Sequence, residues 1–131
     1  MKGYTDLSQS KKLAEFLPLE SADMWWSRCT ITDFGDGVLK VSYAVEPCNI
    51  SQFRNTREDV PCWSLAALLW MLPIIGEGED IANPFIAKIP TGEYYVVYAT
   101  LYKEIDSSGI YSNPVDACYE LIIKLHEQNL L

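Results

Sequence analysis

The sequence predicts a mixed α+β fold: a single domain in the order α-β-β-α-β-β-α, with a mainly antiparallel sheet and helices packed on one face around a buried central helix. Three observations carry that prediction. Leu65 to Leu72 is an unbroken apolar run stopped by Pro73. Two pairs of segments rich in β-branched and aromatic residues lie on either side of it, each pair joined by turn residues. The long β-α-β-α alternation of a parallel sheet is missing, which favours antiparallel strands with helices to one side.

The first helix is predicted to start at Asp6, with Gln9 three residues on as its capping-box partner and Pro18 as its end. Leu13, Ala14, Phe16 and Leu17 line one side of it, while Lys11, Lys12 and Glu15 stay wet. Met24 to Thr32 reads as a strand with Trp25, Cys29 and Ile31 on one face. Gly35-Asp36-Gly37 is a turn signal, because these residues accept positive φ. Val38 to Val45 then returns as the second strand of a hairpin, with Leu39, Val41, Tyr43 and Val45 sharing a side. Glu46 to Asp59 is polar and irregular, and reads either as a solvated linker or as a binding loop.

Ser64 is the predicted N-cap of the central helix, with Trp63 and Leu68 at the two positions of a hydrophobic staple. No residue from Leu65 to Leu72 is polar, so the helix is expected to be covered on every side. The run is far shorter than the roughly 20 residues needed to span a bilayer. Gly76-Glu77-Gly78-Glu79-Asp80 reads as an acidic turn, Pro84 to Ile89 as a strand, and Glu93 to Glu104 as one long strand after Pro90-Thr91-Gly92. Both faces of that long strand are apolar, as in a central strand covered on two sides. Asp106 to Gly109 turns the chain, and Ile110-Tyr111 adds a short strand. The last helix has Asn113 as cap, Pro114 at the first helical position and Asp116 near the positive end of the dipole. Its inward stripe is Val115, Cys118, Tyr119, Ile122 and Leu125, and Asn129 ends it.

The chain of 131 residues is 49% hydrophobic and 21% charged, which is globular composition. A chain this long buries roughly two thirds of its unfolded surface. A formal charge of −8 speaks against tracking nucleic-acid phosphates and against docking on anionic lipid. Cys29, Cys48, Cys62 and Cys118 include no C-x-x-C pair, so neither a zinc knuckle nor a thioredoxin motif is expected. The first residues carry no apolar h-region, so the expected setting is the reducing cytoplasm.

Several short blocks occur together in order: Gln9-Ser10-Lys11-Lys12-Leu13, Ser21-Ala22-Asp23-Met24, Cys62-Trp63-Ser64-Leu65 through Leu72-Pro73, and Asn113-Pro114-Val115-Asp116-Ala117-Cys118 with Lys124-Leu125-His126. In these the chain resembles small uncharacterised proteins encoded by phages, prophages and mobile elements of gut Bacteroidetes. The resemblance implies a bacterial or phage-associated origin and carries no catalytic role.

Chemistry has few anchors. His126, the only histidine, falls in the last turn of the final helix, where its partial charge suits the dipole. A thiol–imidazole pair would need it beside Cys62 or Cys48 in space. Glu77, Glu79 and Asp80 could offer oxygen ligands to a hard cation, but their spacing is not that of an EF-hand and the glycines already explain a turn. No phosphate loop, dinucleotide fingerprint or nucleophile elbow is present, and no cofactor or metal is expected.

Aromatic content is the stronger signal. Adjacent Trp25 and Trp26 cannot share a face of an extended strand, and Tyr94, Tyr98 and Tyr102 line one side of another. Tyrosine and tryptophan left exposed mark protein contacts. The expected function is therefore a non-catalytic protein that works by contact with another protein or with itself, through Trp25, Trp26, Tyr94, Tyr98 and Tyr102, with Arg54 and Arg57 as accessories. The alternatives are a small enzyme with a thiol or carboxylate site near the 46–62 loop, and an acidic mimic of nucleic acid.

Overall fold

The computed structural model describes residues 2–32, 39–47, 59–76, 78–100 and 104–131. The fold is mixed α+β, with three α-helices, two short 3-10 turns and six strands among those residues. The strands divide into two separate three-stranded antiparallel sheets. The chain falls into two compact units, Asp6–Trp63 and the combination of Met1–Thr5 with Ser64–Leu131.

In the Asp6–Trp63 unit, helix α1 (Leu7–Leu13) opens with the predicted capping box. The Asp6 carboxylate accepts the Gln9 N–H at 2.8 Å and the Gln9 side chain accepts the Asp6 N–H at 3.1 Å. The helix ends earlier than Pro18. A residue before proline is disfavoured in the α region, which keeps the helix from running on into Pro18. Tight bonds from Glu15 to Lys12 and from Phe16 to Leu13 close the last turn instead.

Strand β1 (Met24–Thr32) matches its predicted bounds and pairs with β2 (Leu39–Pro47) from Met24↔Pro47 to Thr32↔Leu39. The predicted turn at Gly35–Gly37 lies outside the described residues. On its other side β1 pairs with β3 (Val60–Cys62), a strand the sequence did not announce. Three residues give no periodic signal, and Pro61 reads against a strand. In the order β2-β1-β3 that proline sits on an edge, where its missing N–H breaks no ladder. Helix α1 packs against β3. Two indole N–H groups find hydroxyls: half-buried Trp26 donates from Nε1 to Ser10 Oγ at 3.2 Å and buried Trp63 from Nε1 to Ser21 Oγ at 2.9 Å.

In the other unit, helix α2 (Leu65–Met71) is capped by Ser64, whose hydroxyl accepts the Ala67 N–H at 3.2 Å. Residues at the start of the chain are tied to it. The Gly3 carbonyl accepts the Leu65 N–H, and Tyr4 bridges to Ser64. The expectation that α2 is covered all round is corrected here. Leu68 is its only buried residue, and Ala66 and Trp70 face water. Leu65, Leu68, Leu69 and Leu72 already form a complete i, i+3, i+4, i+7 stripe, which needs one partner; α3 supplies it.

The second sheet has the order β4-β5-β6, built from Asn83–Lys88, Tyr94–Ala99 and Glu104–Ser107. The predicted long strand is thus two strands folded back on each other, with a register shift between Tyr98 and Ala99. Thr100-Leu101-Tyr102-Lys103 contains no glycine, proline, asparagine or aspartate to announce the reversal. Tyr111 bridges to Tyr94, in line with the short strand predicted there.

Helix α3 (Pro114–Glu127) has the predicted cap and first turn. Asn113 Oδ1 accepts the Asp116 N–H at 2.9 Å, and Asp116 also receives Asn113 Nδ2 at 2.7 Å and Lys2 Nζ at 2.6 Å. At its far end Asn129 adopts φ 58°, while Leu130 N–H reaches the Leu125 carbonyl and Asn129 N–H that of His126. This is a Schellman close. The stripe of Val115, Cys118, Leu121, Ile122 and Leu125 is fully buried, and α3 packs on β5. Val96 and Tyr98 on β5 are buried with it. Tyr98 donates its hydroxyl to the Pro73 carbonyl at 2.6 Å, pinning the segment after α2 to the sheet.

Replacing Tyr98 by Phe leaves that carbonyl without its donor while keeping the ring. The expected cost is about 1 kcal/mol, read from the urea midpoint. A midpoint equal to wild type would remove the hydroxyl from the list of stabilising contacts.

Candidate interaction surface

The predicted aromatic set does not assemble into one exposed patch. Trp25 is 8% exposed, and Tyr98 is completely buried with its hydroxyl occupied. Both are core residues, which corrects their assignment to a contact surface. Each lies on a central strand of its sheet, where side chains on either face are covered. Trp26 is half-buried and bonded to Ser10. Tyr94 is half-buried too, and carries the Lys88 ammonium 5.6 Å from its ring centre, a cross-strand cation–π contact. Tyr102, Arg54 and Arg57 lie outside the described residues.

A different apolar surface stands in the open, all of it in the Ser64–Leu131 unit. Trp70 is 88% exposed, Ile74 66%, Phe85 49% and Ile81 44%. Ile75 and Ala82 exchange two backbone hydrogen bonds, so Ile74 lies across from Asn83. Side chains alternate along a strand, and Ile81, Asn83 and Phe85 therefore share a face with Ile74. Diagonal neighbours in such a ladder are within reach of long side chains, so the register puts Ile81 and Phe85 at positions diagonal to Ile74. They border β4, the edge strand of the sheet. Trp70 stands in the last turn of α2, four residues before Ile74.

Gly76 makes this geometry possible. It takes φ +95°, and a Cβ there would come within 2.2 Å of the Asp80 carbonyl oxygen. Only glycine closes the loop that brings Ile75 beside Ala82. The signal for Trp70 was present in the sequence: with Leu65, Leu68, Leu69 and Leu72 inward, Ala66 and Trp70 fall at i, i+4 on the opposite side.

The residues with chemical potential are dispersed or engaged. Cys62 and Cys118 are buried free thiols. Burial pushes the Cys118 thiol up to about 12, the reverse of an activated nucleophile. His126 is exposed in the last turn of α3, with Nδ1 3.3 Å from the Leu131 carbonyl oxygen. It lies eight residues beyond Cys118, about 12 Å along the helix. Cys48 is outside the described residues, as is Glu77. Among the described residues no three His, Cys, Asp or Glu side chains converge as metal ligands.

A polar cleft of about 290 Å³ lies between the end of β6 and the outer side of α3. Tyr111, Glu120, Lys124 and Glu127 line it with Ser107 and Ser108. Lys124 Nζ is held by Asp106 at 2.5 Å and by the Ser107 carbonyl. Ser108 Oγ accepts the Val96 N–H and donates to the Gly109 carbonyl, so its proton and a lone pair serve the fold. Burial, then the charges of Glu120 and Asp116, raise the Tyr111 hydroxyl above its ordinary range. These groups make no nucleophile–base pair.

Among the described residues no helix is long and apolar enough to cross a membrane. Geometry and composition together define an acidic α+β protein whose most exposed large apolar side chain, among the described residues, is Trp70. Comparison with protein-family models, with curated proteins and with solved structures finds no match.

The Cys118 thiol fixes a pH response. Unfolded, it ionises near 9; folded, not before about 12. Across that window the unfolded chain binds fewer protons, so stability is full below pH 9 and falls as pH rises. The slope is about 1.4 kcal/mol per pH unit at most. The raised Tyr98 hydroxyl adds to it above pH 10. Urea midpoints should decline from pH 9 upward in wild type and decline less in Cys118→Ala. Identical slopes in the two proteins would contradict the buried thiol.

Proposed function

We propose that this is a non-catalytic protein whose work is contact with another protein, made through exposed apolar side chains of the Ser64–Leu131 unit, Trp70 first among them. One observation carries the reading: a tryptophan exposed over 88% of its surface, while Trp25 and Trp63 are buried. An indole so placed leaves roughly 200 Å² of mostly apolar surface in water. Covering it is favourable at about 25 cal/mol per Å². Tryptophan is also the residue most enriched among interface hot spots. The resemblance of the short sequence blocks to proteins of phages and mobile elements makes it an accessory protein of such an element in this reading. A second copy of the chain is the other occupant the surface allows.

Trp70→Ser tests this. The ring makes little contact with the fold, so the urea midpoint should stay within about 0.5 kcal/mol of wild type. Partners recovered from host extract by the tagged wild type should be lost by the variant, with affinity falling at least about 30-fold. Recovery of the same partners in the same amounts by both proteins would rule this surface out as the contact.

A further inference from the structure

Strand β4 is an edge of its sheet, so its backbone groups alternate between β5 and the outside. Ile89 donates its N–H to the Glu93 carbonyl at 2.9 Å, and hydrogen-bonded pairs follow at every second position, Ala87↔Tyr95, Phe85↔Val97 and Asn83↔Ala99. On β5 the groups of Tyr94 and Val96 turn the other way, to Tyr111 and Ser108. The N–H and C=O of Ile86 and Lys88 therefore point away from the sheet, and among the described residues nothing bonds them. Ile75 takes the same outer side at Ala82. The next pair of that ladder sets Pro73 against Pro84, and neither has an N–H to give. Pro90, where the turn to β5 begins, lacks one as well.

We propose that a second copy of this chain pairs its own β4 antiparallel along this edge, about a two-fold axis at Ala87, and joins the two β4-β5-β6 sheets into one. The edge is self-complementary about that residue. Ile86 and Lys88 flank it with outward donors, and Pro84 and Pro90 follow at equal distance with none. In this register Ile86 of each copy faces Lys88 of the other, and every outward N–H meets a carbonyl. Ala87 meets itself at a non-hydrogen-bonded position, where side chains come closest and a small one fits. Phe85, 49% exposed, lies opposite Ile89 of the second copy. No lysine stands directly opposite a lysine. The prolines confine the pairing to this segment, and two-fold symmetry closes it, so the edge does not propagate into a fibre. Strand β6, the other edge, carries Glu104 and Asp106, which oppose self-pairing there. This contact goes beyond the one proposed above and does not draw on Trp70.

Sedimentation equilibrium from low to high micromolar concentration tests this on wild type, Trp70→Ser, Ile86→Pro and Ala87→Lys. Ile86→Pro deletes an outward donor that the fold does not use. Ala87→Lys leaves the backbone donors in place and sets two ammonium groups face to face. Wild type and Trp70→Ser should dimerise alike, and each edge variant at least about tenfold more weakly. Ala87→Cys gives a second readout, one that does not depend on a weakened dimer. Cα atoms of a non-hydrogen-bonded pair lie about 4.5 Å apart, within disulfide range, so mild oxidation should link the introduced thiols across the axis. Peptide mapping should find that link, and none between the thiols of Ile86→Cys. A wild type that stays monomeric throughout, or an Ala87→Cys protein that yields no linked peptide, overturns the proposal. So does a dimer that both edge variants preserve; if Trp70→Ser dissociates that dimer, self-contact belongs to the indole instead.

Discussion

The packing of α3 on the buried face of β5 sets the position of everything else in the Ser64–Leu131 unit. Five apolar side chains of the α3 stripe, Val115, Cys118, Leu121, Ile122 and Leu125, are fully buried along with Val96 and Tyr98. Each is worth roughly 1.5–3 kcal/mol against exposure. The Tyr98 hydroxyl contributes about 1 kcal/mol at most. Packing therefore holds the helix, and the hydrogen bond decides where the chain runs next. It fixes Pro73, and with it the turn from α2 toward β4. Both ends of α3 are closed by their own residues, Asn113 at one and Asn129 at the other. The helix thus needs no external partner to terminate it.

The division of α2 into two sides places apolar residues outside. Helix α2 offers one leucine stripe, and α3 takes it. Trp70 projects from the other side, and the β4 edge carries Ile81 and Phe85 on the face shared with Ile74. Scattered exposed hydrophobes are ordinary, but an indole left 88% exposed is a different matter. The loop from Ile75 to Ala82 turns on Gly76, whose positive φ and closeness to the Asp80 carbonyl leave no room for a side chain.

Much of the fold was legible because its local signals agree with its packing. Asp6 with Gln9, Ser64 and Asn113 each cap the helix that follows them, and β1 runs from Met24 to Thr32 as alternation and composition indicate. Strands β3 and β6 were missed for different reasons. The first is three residues long and holds a proline; the second is reached through a reversal with no turn residue. The burial of Trp25 and Tyr98 was missed for a third. Aromatic content says how much ring surface exists, not which rings a central strand will cover. Trp25 and Tyr98 sit on central strands, whereas Trp70 sits on the free side of a short helix. Counting the leucine stripe of α2 would have found it; reading an all-apolar segment as wholly buried hid it.

The most direct test is the solvent exposure of the four tryptophans one by one. Protein labelled with 5-fluorotryptophan, kept dilute and assigned by single Trp→Phe substitutions, reports each indole through the change in its fluorine shift between light and heavy water. The expected result is a large isotope shift at Trp70, an intermediate one at Trp26, and almost none at Trp25 and Trp63. A Trp70 signal as shielded as that of Trp63 would place the ring inside the fold and contradict the open apolar surface.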